Sequence, residues 1–193
     1  MKLIDSTVND FLAAVRSPDP TPGGGSAAAL AGALGASLLA MVAGLPKSRA
    51  ATEADVERLR TAGERCTALA GELTALIDRD SAAYDLVLAA YKRPRGTDDE
   101  KAARSAAIQK AMREAIAAPL DVMRACAAAT EHGPVIRELG LASASSHVQV
   151  GVALLRAGLQ GAKLNVEINL ESVKDAAYVA SVREEIDRLQ GVV

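Results

Sequence analysis

The chain has 193 residues, enough for one domain with a sizeable core. Lys plus Arg is 22 against 24 Asp plus Glu, for a net charge of -2, and there are no Trp, one Phe and three Tyr. This gives neither the basic surface nor the stacking rings that a nucleic-acid partner needs. Two cysteines (Cys66, Cys126) and two histidines (His132, His147) fall at no metal-ligand spacing, so no metal is expected.

The first residues, Met-Lys-Leu-Ile-Asp-Ser, lack a signal-peptide pattern. The cysteines suit the reduced thiols of a cytoplasmic protein, with one disulfide as the alternative. Thr7 to Val15 reads as a short amphipathic helix that stops before Pro18 and Pro20.

Residues 20–26 read Pro-Thr-Pro-Gly-Gly-Gly-Ser, and an uncharged, alanine-rich stretch runs from Ala27 to Leu45. Three successive glycines cost ordering entropy, so the loop calls for positive φ angles or a backbone laid close against a neighbour. Ser26 is expected to cap the following helix. Two readings fit: a tight turn into a core helix, or a cradle of backbone N–H groups at the positive end of a helix dipole. It is not a nucleotide phosphate loop, because Ala27 and Ala28 follow where Lys-Ser/Thr belongs. The Ala-rich stretch is long enough to cross a bilayer, but lacks aromatic or basic anchors. Ala28, Gly32 and Ala36 recur every four residues, the mark of a close helix contact. A buried central helix is expected, and no membrane partner.

A helical pattern holds from about Thr52 to Lys92. Val56, Leu59, Gly63, Cys66, Ala70, Leu73, Ile77, Asp80, Tyr84, Val87 and Tyr91 step by three and four. Asp80 is the one charge on this stripe. Two roles remain open for it: a polar residue that fixes helix register, or a partly desolvated general acid or base. Pro94 and Gly96 end the helix, and Thr97 with Glu100 forms a capping box for the next, which runs to about Thr130. Pro119 inside it should kink the helix and free a carbonyl. Gly133-Pro134 and Gly140 bound a short helical turn. From Ser145 onward, His147, Gly151, Leu154, Gly158, Gly161, Asn165 and Asn169 share one stripe. Ser172 to Gln190 is an amphipathic closing helix. The fold class is therefore all-α: a single-domain bundle of six or seven helices over residues 1–193, with long central helices, expected to pair as a homodimer.

Four motifs stand in order: the Pro-Thr-Pro-Gly-Gly-Gly-Ser-Ala-Ala-Ala run; Asp80-x-x-Ala83-Tyr84; Ala90-Tyr91-Lys92-x-Pro94; and Gly161-Ala162-x-x-Asn165-Val166-x-Ile168-Asn169-Leu170. In order and spacing the chain resembles the cyclodeaminase/cyclohydrolase family from about Phe11 to Ile186. That family comprises the cyclodeaminase domain of formiminotransferase-cyclodeaminase and the stand-alone methenyltetrahydrofolate cyclohydrolases. The resemblance implies an all-helical homodimer acting on a one-carbon tetrahydrofolate derivative. It implies Asp80 as the proton-transfer group, with Lys92 in the catalytic set. Pro22, Gly23, Gly24, Gly25, Ser26, Tyr84, Asn165 and Asn169 are the implied substrate contacts. Stand-alone cyclohydrolase is the first expectation, cyclodeaminase the second, and a diverged, non-catalytic folate-binding or structural helical dimer the third. Gln149 follows the cyclodeaminase pattern. The chain also departs from the family: Lys47-Ser48-Arg49-Ala50-Ala51 lacks an aromatic residue, Leu141 replaces an Asn, and Ser146-His147 replaces a Ser-Asp pair. A histidine can transfer protons near neutral pH, so His147 joins Asp80 and Lys92 as a catalytic candidate.

Overall fold

Four of the helices start where a short polar side chain caps them. Thr7 accepts from the Asp10 N–H, Thr52 from Asp55, Thr97 from Glu100, and Asp175 from Tyr178. The computed structural model describes residues 2–46 and 52–191, so the Lys47–Ala51 patch lies outside the described residues. Within them are α1 (Val8–Arg16), α2 (Gly24–Gly44), α3 (Glu53–Tyr91), α4 (Asp98–Glu131), α5 (Gly133–Leu139), α6 (Ser145–Leu170) and α7 (Ala176–Gln190). Short 3-10 turns cover Leu3–Asp5 and Ala142–Ala144, and no strand is present among the described residues.

Four long helices form the bundle. Gly24 lies near Asn165 and Gly35 near Gly151, so α2 and α6 are antiparallel. The pairs Gly25–Asp80 and Gly63–Ala43 make α2 and α3 antiparallel too. Helix α4 returns along α3 through the Arg79–Asp121 ion pair, and along α6 through Asn169 and Ala115. Helix α7 packs on the outside of α4, held by Arg124 with Glu185.

The small residues of α2 set the spacing of the core. A Cβ on Gly32 would stand 2.6 Å from Cys126 Sγ and 3.0 Å from Leu73, on α4 and α3. One on Gly35 would stand 2.6 Å from the Gly151 carbonyl, and one on Gly158 2.8 Å from the Ala28 carbonyl. Backbone therefore meets backbone where α2 crosses α6, an approach that only small residues permit. Around this crossing Leu39, Leu73, Ile116, Met123 and Leu155 are fully buried. Each such side chain contributes about 1.5–3 kcal/mol by leaving water. Both cysteines are free and buried in this core.

The stripe read along α3 is buried at Leu59, Cys66, Leu73, Ile77 and Val87. Its ends are not: Val56, Tyr84 and Tyr91 are exposed. The bundle narrows there to fewer neighbours, and a second small cluster of Val87, Ala90, Ala111, Met112 and Ala115 replaces the main core. Helix α2 is long and apolar enough to cross a membrane, at mean hydropathy 1.9. It lies in the middle of the bundle, yet Leu34 and Met41 on it remain exposed.

Candidate active site

The N-terminus of α2 meets the middle of α3 at one carboxylate. Helix α2 begins at Gly24 with Gly23 as its cap, so Ser26 sits in the first turn rather than at the cap position expected from sequence. Gly23 has no side chain to satisfy the N–H groups of that turn. Asp80 does so from α3: the Ser26 N–H donates to Asp80 Oδ2 at 3.0 Å. The Ser26 hydroxyl is fully buried and donates to the Ile77 carbonyl at 2.8 Å, with Asp80 Oδ2 3.4 Å away and Ser81 Oγ 3.3 Å away. A capping serine would have to face the helix end, but here its hydroxyl ties α2 to α3.

The glycines are explained by proximity, not by backbone angle. No described glycine has a positive φ, which corrects that half of the expectation. A Cβ on Gly25 would fall inside the Asp80 carboxylate, so only glycine lets the two helices close there. A Cβ on Gly24 would meet Asn165 Nδ2 at 3.3 Å. Asn165 itself donates to the Gly161 carbonyl at 2.8 Å. Pro22 is buried just before the turn. Asp80, Gly24, Gly25, Ser26 and Asn165 are thus one constellation, and Tyr84 stands one turn along α3 from Asp80, 38% exposed.

Burial raises the Asp80 pKa above the ordinary carboxylate value, while the Ser26 N–H and hydroxyl pull it back. The dipole of α2 also favours the charged form. The result is a carboxylate fixed in place, partly desolvated, and able to exchange a proton closer to neutrality than a solvated aspartate.

Other residues from the sequence reading fall elsewhere. Lys92 is the exposed cap at the end of α3, about 18 Å along the helix from Asp80 at 1.5 Å per residue. His147 is exposed near the start of α6, about 27 Å along that helix from Asn165. Within one protomer neither shares a site with Asp80. Asn169 donates to the Ala115 carbonyl at 2.9 Å, the group that Pro119 leaves without its helical partner. Leu141 packs against the core, and Gln149 is exposed beside a separate cavity between α4, α5 and α6. Sequence reasoning missed Ser81 and missed Asp78. Asp78 Oδ1 accepts from the Leu3 N–H at 2.6 Å and holds the N-terminal turn against α3. A serine directly after the stripe aspartate was the available signal for the first; nothing local signals the second. Among the described residues, no group of three or more His, Cys, Asp or Glu is placed to hold a metal.

The chain belongs to the formiminotransferase-cyclodeaminase family, whose model matches residues 7–188. Among curated relatives, a methenyltetrahydrofolate cyclohydrolase of Methylorubrum extorquens is 37% identical over 188 residues, covering 96% of this chain and 89% of that protein. A formimidoyltransferase-cyclodeaminase of Sus scrofa is 35% identical over 190 residues, and the chain spans only 35% of its length. Among solved structures, a formiminotetrahydrofolate cyclodeaminase of Thermotoga maritima superimposes with a TM-score of 0.85 at 26% identity. That match covers 97% of this chain and 90% of the other.

Proposed function

We propose that the chain is a methenyltetrahydrofolate cyclohydrolase of one-carbon folate metabolism, with Asp80 as its general acid–base. The observation that carries this reading is the Asp80 carboxylate held by the Ser26 N–H against the α2 N-terminus. The 5,10-methenyl bridge is a cationic carbon between two nitrogens, so an ionised carboxylate beside it also offsets its charge. Water adds its oxygen to that carbon and gives one proton to Asp80. The bond from carbon to N5 then breaks, N5 takes the proton held by Asp80, and the new hydroxyl loses its proton to solvent. The products are 10-formyltetrahydrofolate and one proton. The Gly24–Ser26 turn and Asn165 border the carboxylate and are the proposed folate contacts, with Tyr84 beside them.

The protomer is proposed to act as a homodimer in the cytoplasm. Leu34 on α2, together with Leu164 and Ile168 on α6, is more than half exposed on helices otherwise committed to the core. A second copy covering them is the expected partner. The free, buried cysteines suit a reducing compartment.

The fold match to a cyclodeaminase supports a second reaction on the same site, attack of N10 on a formimidoyl carbon with loss of ammonia. Two assays separate the readings. Loss of methenyltetrahydrofolate absorbance above the spontaneous rate supports the cyclohydrolase, and ammonia release from 5-formimidoyltetrahydrofolate supports the cyclodeaminase. Folate binding with neither activity would leave a non-catalytic binder.

A further inference from the structure

We propose that Asp78 is a positioning residue for the Asp80 site. It latches the first turn of the chain to α3 and, through α1 and the connection 17–23, holds the wall of the folate site that leads into the glycine turn. This rests on the folate reading above. The Leu3 N–H donates to Asp78 Oδ1 at 2.6 Å, and further along the chain the Ser26 N–H donates to Asp80 Oδ2 at 3.0 Å. The N-terminal segment therefore leaves α3 at one aspartate and returns to it at another two residues away. Side chains two apart on a helix project roughly 160° from each other, and their Cα atoms differ by only about 3 Å along the axis. The segment thus passes from one side of α3 to the other as a strap. Helix α1, nine residues and about 14 Å long, is comparable to the width of the helix it rounds.

Little else holds this strap. Phe11 is the single buried residue of α1, while Val8, Leu12 and Val15 are exposed. Leu3 is only partly buried against the main core. The latched turn and α1 are braced to each other, because the Ser6 hydroxyl donates to the Leu3 carbonyl at 2.5 Å and Thr7 caps the helix. Beyond α1 the connection carries Pro18, Pro20 and Pro22, whose fixed φ angles stiffen it, and Gly23 then opens α2. A shift of α1 is passed along this short path to Gly24 and Gly25, which face Asn165 and Asp80.

For stability alone, Asp78 is a poor fastening. Its Oδ2 is buried and accepts no hydrogen bond. A buried acceptor without a partner has lost its water and gained nothing in exchange, and an uncharged acceptor would tether Leu3 as well. The one bond the carboxylate does make secures the far foot of the segment whose other foot is the Asp80 site.

The test compares the whole wild-type protein with three variants. Asp78→Ala removes the acceptor, and Asp78→Asn keeps an amide oxygen that can accept from the Leu3 N–H. Leu3→Pro removes the donor and leaves Asp78 in place; proline suits this position, because Leu3 is the first residue of its turn and Lys2 before it is extended. Three quantities are read: amide hydrogen exchange of residues 3–16, Kd for 5-formyltetrahydrofolate, and kcat and KM on 5,10-methenyltetrahydrofolate. Asp78→Ala and Leu3→Pro should each speed the exchange and raise Kd and KM by about tenfold, the loss expected for one hydrogen bond to a charged group. Their kcat should be unchanged, because Asp80 and Ser26 stay joined. Asp78→Asn should return all three quantities to wild-type values. Faster exchange in Asp78→Ala with Kd and KM unmoved would overturn the positioning role and leave the cyclohydrolase reading standing. So would a loss in Asp78→Asn as large as that in Asp78→Ala. If the wild type turned over no folate, Kd for 5-formyltetrahydrofolate would still decide the role of Asp78, and absence of binding as well would remove both readings.

Discussion

The Asn169 side chain on α6 donates to the Ala115 carbonyl on α4 at 2.9 Å, four residues before Pro119. Proline has no N–H to give that carbonyl, and its ring crowds it. A side chain from a neighbouring helix takes the vacant place, so the proline bend and the α4–α6 contact depend on each other. Asn169→Ala should destabilise the fold by about 1–3 kcal/mol, the cost of a half-buried acceptor left unpaired. Placing the same change on a Pro119→Ala background should cost less, because the alanine introduced there has an N–H that can donate to the Ala115 carbonyl within the helix. Denaturant melts of the four proteins form a double-mutant cycle, and strict additivity would disprove the coupling.

Asp80→Asn should lower turnover by about two orders of magnitude, the contribution usual for a positioned general acid–base. It should not lower stability near neutral pH. Burial raises the folded-state pKa of Asp80, so the folded protein holds this proton to higher pH than the unfolded chain does. The stabilisation linked to that proton is full at low pH and is lost as pH rises through the folded-state pKa. The asparagine variant lacks this loss, so its melting temperature should match or exceed wild type at neutral pH and converge with it in acid. In the wild type, kcat/KM should fall on the acid side at a pH above the range of an ordinary carboxylate. Unchanged turnover in the variant would reduce Asp80 to a helix cap.

Gly25→Ala and Gly24→Ala differ by one methyl position along the same turn. At Gly25 the methyl falls inside the Asp80 carboxylate, and at Gly24 it meets Asn165 at 3.3 Å. The first should abolish measurable activity and weaken the α2–α3 junction, while the second should chiefly raise KM. Equal effects of the two on kcat and KM would contradict the geometry.

Gly158→Ala and Gly71→Ala test the helix crossing. Both replace a helical glycine with a better helix former, a gain of up to about 1 kcal/mol where space is free. Gly71 has nothing within 4 Å of an added Cβ, and its replacement should stabilise by roughly that amount. At Gly158 the methyl would press on the Ala28 carbonyl at 2.8 Å, and overpacking should destabilise by about 1–3 kcal/mol. Thermal melts that moved in the same direction would refute the close crossing.

His147→Ala should leave kcat/KM and its pH profile as they are, because the imidazole is exposed and far along α6 from the Asp80 constellation. A pH limb that disappears with the histidine would mean that a second copy brings it to the site.

Local chemistry was legible in the sequence, and long-range partnership was not. Thr52 and Thr97 announce their helices because a cap bonds residues only three positions away. Pro119 announces a freed carbonyl by its own covalent structure, but Asn169, 54 positions on from Ala115, is found only in the fold. Ser26 misled for the same reason: its turn is capped by an aspartate 54 residues away. Spacing identified the face of α3 that holds Asp80 and the face of α6 that holds His147. A face says nothing of which helix covers it at each level: on one stripe Leu73 is buried and Tyr91 exposed, and on the other Gly151 is buried and His147 exposed.

The glycine-lined crossing of α2 with α6 also dictates an order of events during synthesis. Helix α2, apolar enough to suit a bilayer, emerges early, while α6 leaves the ribosome roughly a hundred residues later. Until then α3 and α4 can cover the Gly32 side of α2, but the side that Gly35 presents to Gly151 and Leu155 of α6 has no occupant. The nascent chain therefore carries an exposed, sticky helix for several seconds at ordinary elongation rates of about 5–20 residues per second. Chains truncated before α6 should therefore aggregate where the full-length chain does not.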